Sequence, residues 1–83
     1  MALTYKIKDF GDLGDGNVMV GFEVTDDSDK SIFLIDKTIA KGSKSDDAIT
    51  EEAYNAAQTE VNTWINSKSN VGKIFDPSSK KLN

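Results

Sequence analysis

The sequence predicts an α+β domain: a three-stranded antiparallel β-meander with one amphipathic helix packed on one face, and room for a short fourth strand. Three observations predict it. Val18, Val20, Phe22 and Val24 alternate with Met19, Gly21, Glu23 and Thr25, the period of a strand with one buried face. Residues 46–68 are rich in Ala, Glu, Asn and Gln and hold neither Gly nor Pro, as a helix requires. The segments linking the strands are only a few residues long, too short for a parallel crossover, so the pairing is antiparallel.

The first strand is Leu3-Thr4-Tyr5-Lys6-Ile7-Lys8, with Leu3, Tyr5 and Ile7 on one face. Gly11-Asp12-Leu13-Gly14-Asp15-Gly16-Asn17 then supplies the positive-φ positions of a hairpin loop. Val18–Thr25 is the second strand. Asp26-Asp27-Ser28-Asp29 is a turn, because Asp and Ser side chains bond back to nearby amides. Ser31–Ile39 is the third strand, and Lys41–Ser45 is a polar loop. The helix runs from about Asp47 to Ser67, with Ser45, Asp46 and Asp47 all good N-cap types. Its apolar face carries Ile49, Ala53, Ala56, Ala57, Val61, Trp64 and Ile65, at spacings of three and four. Asn70 or Gly72 can stop it. Val71–Phe75 is a fourth strand at an edge or a docked tail, and Asp76-Pro77-Ser78-Ser79 is a turn. The expected domain is 1–76, with 77–83 as a loose C-terminal tail. The expected core is Tyr5, Ile7, Val18, Val20, Phe22, Val24, Phe33, Ile35, Ala53, Ala57, Val61, Trp64 and Ile65.

Composition excludes several function classes. Eighty-three residues make one small domain. The longest apolar run, Ile32–Ile35, is far short of the ~20 residues that span a bilayer. Met1–Lys6 has no long apolar stretch after its charge, so no secretion signal is expected. Cys and His are both zero, which removes disulfides, thiol nucleophiles, the usual zinc sites and a histidine base. All ten basic residues are Lys and the net charge is −4, which disfavours nucleic acid as a partner.

Three motifs suggest chemistry and fail on spacing. The loop Gly11–Val18 has the look of a calcium loop, which needs oxygen ligands at positions 1, 3 and 5, Gly at 6 and Glu at 12. Counting Asp12 as position 1 puts Gly14 and Gly16 at 3 and 5 and Asn17 at 6. Lys41-Gly42-Ser43-Lys44-Ser45 lacks the second Gly of a phosphate loop. Asp9, Asp12 and Asp15, and Asp26, Asp27 and Asp29, cluster in hydrophilic turns, where all should stay solvated and ionised. Paired-acid catalysis needs one carboxyl in an apolar pocket instead. Trp64 is expected to be largely buried against the sheet. No enzyme activity, cofactor, metal site or small-molecule substrate is expected.

The third strand breaks the alternation. Phe33, Ile35 and Ile39 share one parity and Ile32 and Leu34 the other. The first set gives the core more area, so Ile32 and Leu34 should face outward, with Lys37 laying its stem along the core. With Met19 and Gly21 they would form an apolar patch on the second sheet face, rimmed by Lys6 and Lys8. Either Val71–Phe75 covers this patch, or a bulge shifts the parity, or the patch is a protein–protein interface.

Three segments, Met1-Ala2-Leu3-Thr4-Tyr5-Lys6-Ile7, Leu13-Gly14-Asp15-Gly16-Asn17-Val18 and Asn70-Val71-Gly72-Lys73-Ile74-Phe75-Asp76-Pro77, resemble small bacteriophage accessory or virion-associated proteins. They cover about a quarter of the chain and bring no catalytic or binding motif. The resemblance implies a class: a small phage structural or accessory protein, in the host cytoplasm or the virion. The expected function is a non-enzymatic interaction module that binds a protein partner or itself, without nucleic acid or membrane. The alternative is an acidic inhibitor that occupies a basic surface of a host enzyme. That role needs acids spaced along one face, whereas the two acidic turns sit at opposite ends of the second strand.

Overall fold

A computed structural model describes residues 2–83. The strands are β1 (Leu3–Asp12), β2 (Asn17–Asp26) and β3 (Ile32–Ala40), in the order β1-β2-β3 and antiparallel throughout. The helix α1 (Asp46–Ser67) follows, then a 3-10 turn at Lys68–Asn70. The chain ends in two short strands, β4 (Phe75–Asp76) and β5 (Lys81–Leu82), which pair only with each other. The α+β class and the meander are those the alternation and the short turns predict.

Local chemistry fixes the turns. Gly14 and Gly16 adopt positive φ in the β1–β2 loop, where the Asp12 carboxylate accepts the Gly14 N–H at 2.9 Å and the Asp15 carboxylate accepts the Asn17 N–H at 3.1 Å. Asp12 also pairs with Lys41 at 3.0 Å. The Gly14 amide first, then Lys41, holds its carboxyl below the usual range. The β2–β3 turn and the β4–β5 turn are built alike. In the first, the Asp26 carboxylate accepts the Ser28 N–H and hydroxyl, Lys30 has positive φ, and the Lys30 N–H donates to Asp26 O at 2.7 Å. In the second, Asp76, Ser78 and Lys80 repeat every one of these features.

The core lies between α1 and the sheet. Val18, Val20, Phe22, Val24, Ile39, Ile49, Ala53, Ala57 and Val61 are buried, with Leu3, Tyr5, Phe33, Ile35 and Trp64 packed at its margin. Ile49, Ala53, Ala57 and Val61 are four apart, and each step of four residues turns about 40° around the helix. The contact line therefore winds round α1, as fits a helix lying obliquely on a twisted sheet. Ala53 and Ala57, the two smallest of the four, let the helix approach closely. The Ser45 hydroxyl caps α1 by accepting the Ala48 N–H at 3.2 Å.

Five expectations need correction. α1 lies over β3 and, less extensively, β2, so the β1 side of the core face stays open and Ile7 is 41 % exposed. Trp64 and Ile65 are only half-buried, because they sit where α1 reaches the margin of the sheet. Trp64 stacks on Phe33 with ring centres 5.3 Å apart, and Lys68 Nζ lies 5.0 Å from its ring centre. Asp26 is not solvated: it is buried, and Lys68 Nζ reaches its Oδ2 at 2.5 Å and Asp29 Oδ2 at 2.7 Å. Finally, Val71–Phe75 neither joins the edge of the sheet nor covers its second face. Residues 77–83, expected as a loose tail, contain the return strand, and Ile74 and Asn83 exchange two backbone hydrogen bonds of 3.0 and 2.9 Å.

Candidate interaction surface

The face of the sheet turned away from α1 is read directly from the strand register. Its first row is Ile32, Thr25 and Thr4, and its second is Leu34, Glu23 and Lys6. The third is Asp36, Gly21 and Asp9, and the fourth is Thr38, Met19 and Gly11. Ile32 and Leu34 are two residues apart on one face of an edge strand, about 7 Å from each other. They are 55 % and 53 % exposed. On the opposite parity Ile39 is buried, Phe33 and Ile35 are half-buried, and Lys37 lays its stem along the core to reach Glu60 Oε1 at 2.8 Å. That hydrogen bond holds the Glu60 carboxyl below its usual range.

Gly21 and Met19 do not extend the Ile32–Leu34 patch. A Cβ on Gly21 would stand 2.6 Å from Asp36 Oδ1 and 3.2 Å from Asp9 Cβ. The two aspartates close over the glycine, leaving it buried, and their row separates Met19 from Leu34. Met19 itself is half-buried. Lys6 and Lys8 are both exposed on β1, across the sheet from the apolar pair. Of the six predicted residues, Ile32 and Leu34 form an apolar patch on the β3 edge, Lys6 and Lys8 lie on β1 at the other edge, and Gly21, covered by Asp9 and Asp36, separates Met19 from the patch.

The bulge that spacing allowed lies in β1 rather than β3. Ile7 pairs with Phe22 and Asp9 with Gly21, so Lys8 is the extra residue. Beyond it the parity of β1 reverses, and Phe10, opposite Val20, joins Tyr5 and Ile7 on the core face. The sequence carries this signal: apolar residues at 3, 5 and 7 are followed by one at 10, not 9. Because α1 leaves this side open, Tyr5, Ile7, Phe22 and Tyr54 line a groove. The ring of Tyr5 meets that of Tyr54 edge-on at 4.8 Å, and its hydroxyl accepts a hydrogen bond from Gln58 Nε2 at 3.1 Å.

The electrostatics centre on Lys68. Its hydrogen bond and then those of Ser28 hold the Asp26 carboxyl below the usual range; Lys68 and then Ser31 do the same for Asp29, more strongly. Burial pulls the Lys68 ammonium pKa down, and the two carboxylates more than offset this, so it stands above the ordinary lysine value. This cluster ties the end of α1 to the β2–β3 turn. Among the described residues no three carboxylates converge to hold a metal ion, and no helix is long and apolar enough to cross a membrane. No family model, curated protein or solved structure matches the chain.

Proposed function

We propose that the chain is a non-enzymatic protein–protein interaction module of the small phage structural or accessory class, engaging its partner through the β3 edge of the outer sheet face. The observation that carries this reading is the exposure of Ile32 and Leu34 on a free edge strand. Such an edge pairs two kinds of contact: unpaired backbone groups that can accept another strand, and alternate apolar side chains that select it. Burying both side chains in a partner would contribute roughly 1.5–3 kcal/mol each. The acidic-inhibitor alternative has less support, since Asp12, Asp26, Asp29, Glu52 and Glu60 are each paired with a lysine.

The test is a comparison of wild type with an Ile32→Ser, Leu34→Ser double variant as bait in expressing cells. A protein captured by the first and lost from the second, with melting temperature unchanged, supports the reading. Equal capture by both variants excludes this edge as the interface.

A further inference from the structure

The chain distributes its charge unevenly. Residues 71–83 carry three lysines against one aspartate, a side-chain charge of +2, while residues 1–70 carry seven lysines against thirteen carboxylates, a charge of −6. The basic segment also leaves its apolar side chains in water. Val71 and Ile74 are 82 % and 73 % exposed, and Phe75 and Leu82, opposite each other in the β4–β5 pair, are about half exposed. A lone two-stranded hairpin is marginal in water and gains from packing on a surface.

The acidic body offers such a surface. The open groove beside β1 encloses about 540 Å³, with Tyr5, Ile7 and Phe22 as its floor, Tyr54 as a wall, and Asp47 and Glu51 at its rim. Its floor suits apolar side chains and its rim suits lysines. While β4 and β5 stay paired, Phe75 falls short of the groove of its own chain. Glu51 lies nineteen residues before Asn70, about 28 Å along the helix. Phe75 lies five residues beyond Asn70, at most about 18 Å of extended chain.

We propose that residues 71–83 are a docking arm whose apolar side chains enter the Tyr5–Ile7–Tyr54 groove of a second copy of this chain, with the arm lysines facing Asp47 and Glu51 of that copy. Exchange in both directions gives a two-fold dimer with two equal contacts. This surface is separate from the β3 edge and does not depend on the function proposed above.

The chain has no cysteine, so single-cysteine variants report the contact directly. Ile7→Cys and Phe75→Cys proteins, mixed and gently oxidised, should give the mixed disulfide in excess of either self-pair. Leu34→Cys mixed with Phe75→Cys should not. In sedimentation velocity from micromolar to submillimolar concentration, wild type should pass from monomer to dimer. Reversing the arm (Lys73→Glu, Lys80→Glu, Lys81→Glu) should raise the midpoint at least tenfold. Reversing the rim (Asp47→Lys, Glu51→Lys) should do the same, and the two reversed proteins, mixed, should associate again. All five positions are exposed, and unchanged circular dichroism and Trp64 emission confirm the fold of each variant. Three results would overturn the proposal. One is a monomer throughout. Another is an intrachain bond in a dilute protein that carries Ile7→Cys and Phe75→Cys together. The third is a dimer that survives arm reversal and is lost with Ile32→Ser, Leu34→Ser, which would place self-association on the β3 edge instead.

Discussion

Asp26 shows how a charge can sit in so small a core. Its carboxylate is neutralised by Lys68 and bonded by Ser28, so ion and partner are desolvated together. Removing one partner of a buried pair leaves the other uncompensated, which is far worse than never having had the pair. Lys68→Met should therefore lower the melting temperature at neutral pH by several degrees; an unchanged melt would show that the pair contributes nothing. The pH dependence follows from the directions of the shifts. Asp26 and Asp29 titrate lower in the folded state than in the unfolded chain. Their contribution is fully present above about pH 4 and is lost as pH falls through the folded values. The Lys68 pKa is raised, so its contribution is present below about pH 10 and is lost as pH rises through the folded value. The urea midpoint of wild type should fall as pH drops from about 4 to about 2, and the Lys68→Met profile should be flatter over that interval. Gly21 is the second residue whose identity is set by its neighbours. A branched side chain there would collide with Asp36 and Asp9, so Gly21→Val should cost about 1–3 kcal/mol as an overpacking change. Adding Asp36→Ala should recover part of that loss, and no recovery would mean the collision is not the cause.

At the scale of elements, α1 depends on its first turn. Its last turn has no basic residue to complement the dipole, whereas Asp46 and Asp47 sit at the start beside the Ser45 cap. Ser45→Ala should cost about 1 kcal/mol, seen as a drop of ~4–8 °C in melting temperature for a domain this size; no drop would show that Asp46 or Asp47 takes over the cap. What was legible in the sequence divides along the same lines. β2 was plain because it is central, has one face against α1, and alternates without a break. Its β3 neighbour was legible once Lys37 could be assigned a long stem with a wet end. β1 reads four residues short in the sequence, at Asp9–Asp12, because a bulge at Lys8 reverses parity and makes a continuing strand look finished. The helix was found within one residue at its start, and its face was found too broad. Trp64 and Ile65 fit the period, yet helical period cannot say which strand a helix lies over, and α1 lies over β3 rather than β1. The Lys68 cluster was not legible, since it joins residues 42 apart in the chain. The C-terminal hairpin could have been read: Asp26-Asp27-Ser28-Asp29-Lys30 and Asp76-Pro77-Ser78-Ser79-Lys80 share Asp, Ser and Lys at the same spacing, and the first already connects two strands. For the outer face, parity placed Ile32 and Leu34 outward, but it could not show that Asp9 and Asp36 would close over Gly21.

The whole molecule is longer than a compact chain of its size. Its radius of gyration is 16.7 Å and its extents are 55 × 26 × 16 Å, whereas a compact domain of this length would have a radius near 12 Å. α1, about 33 Å long, accounts for only part of the 55 Å extent, and the end of the chain adds to it. Residues 1–70 contain every buried core residue, every strand of the main sheet and the Lys68 cluster; β4 and β5 bond to each other and keep their apolar side chains exposed. Stability and shape should therefore separate. At concentrations low enough to keep the chain monomeric, a chain ending at Asn70 should melt within about a degree of the full protein, because surface segments without packing contribute little. Small-angle scattering should show the full protein near 17 Å and the shortened one several ångströms smaller, toward the compact value of about 11 Å for 70 residues. A large loss of stability on shortening would mean that residues 71–83 pack on their own body in solution. Equal radii for the two proteins would say the same, since an arm folded against the body adds little to its radius. If the shortened chain keeps its melting temperature and loses the extended radius, the last thirteen residues are an appendage whose burial has to come from another molecule.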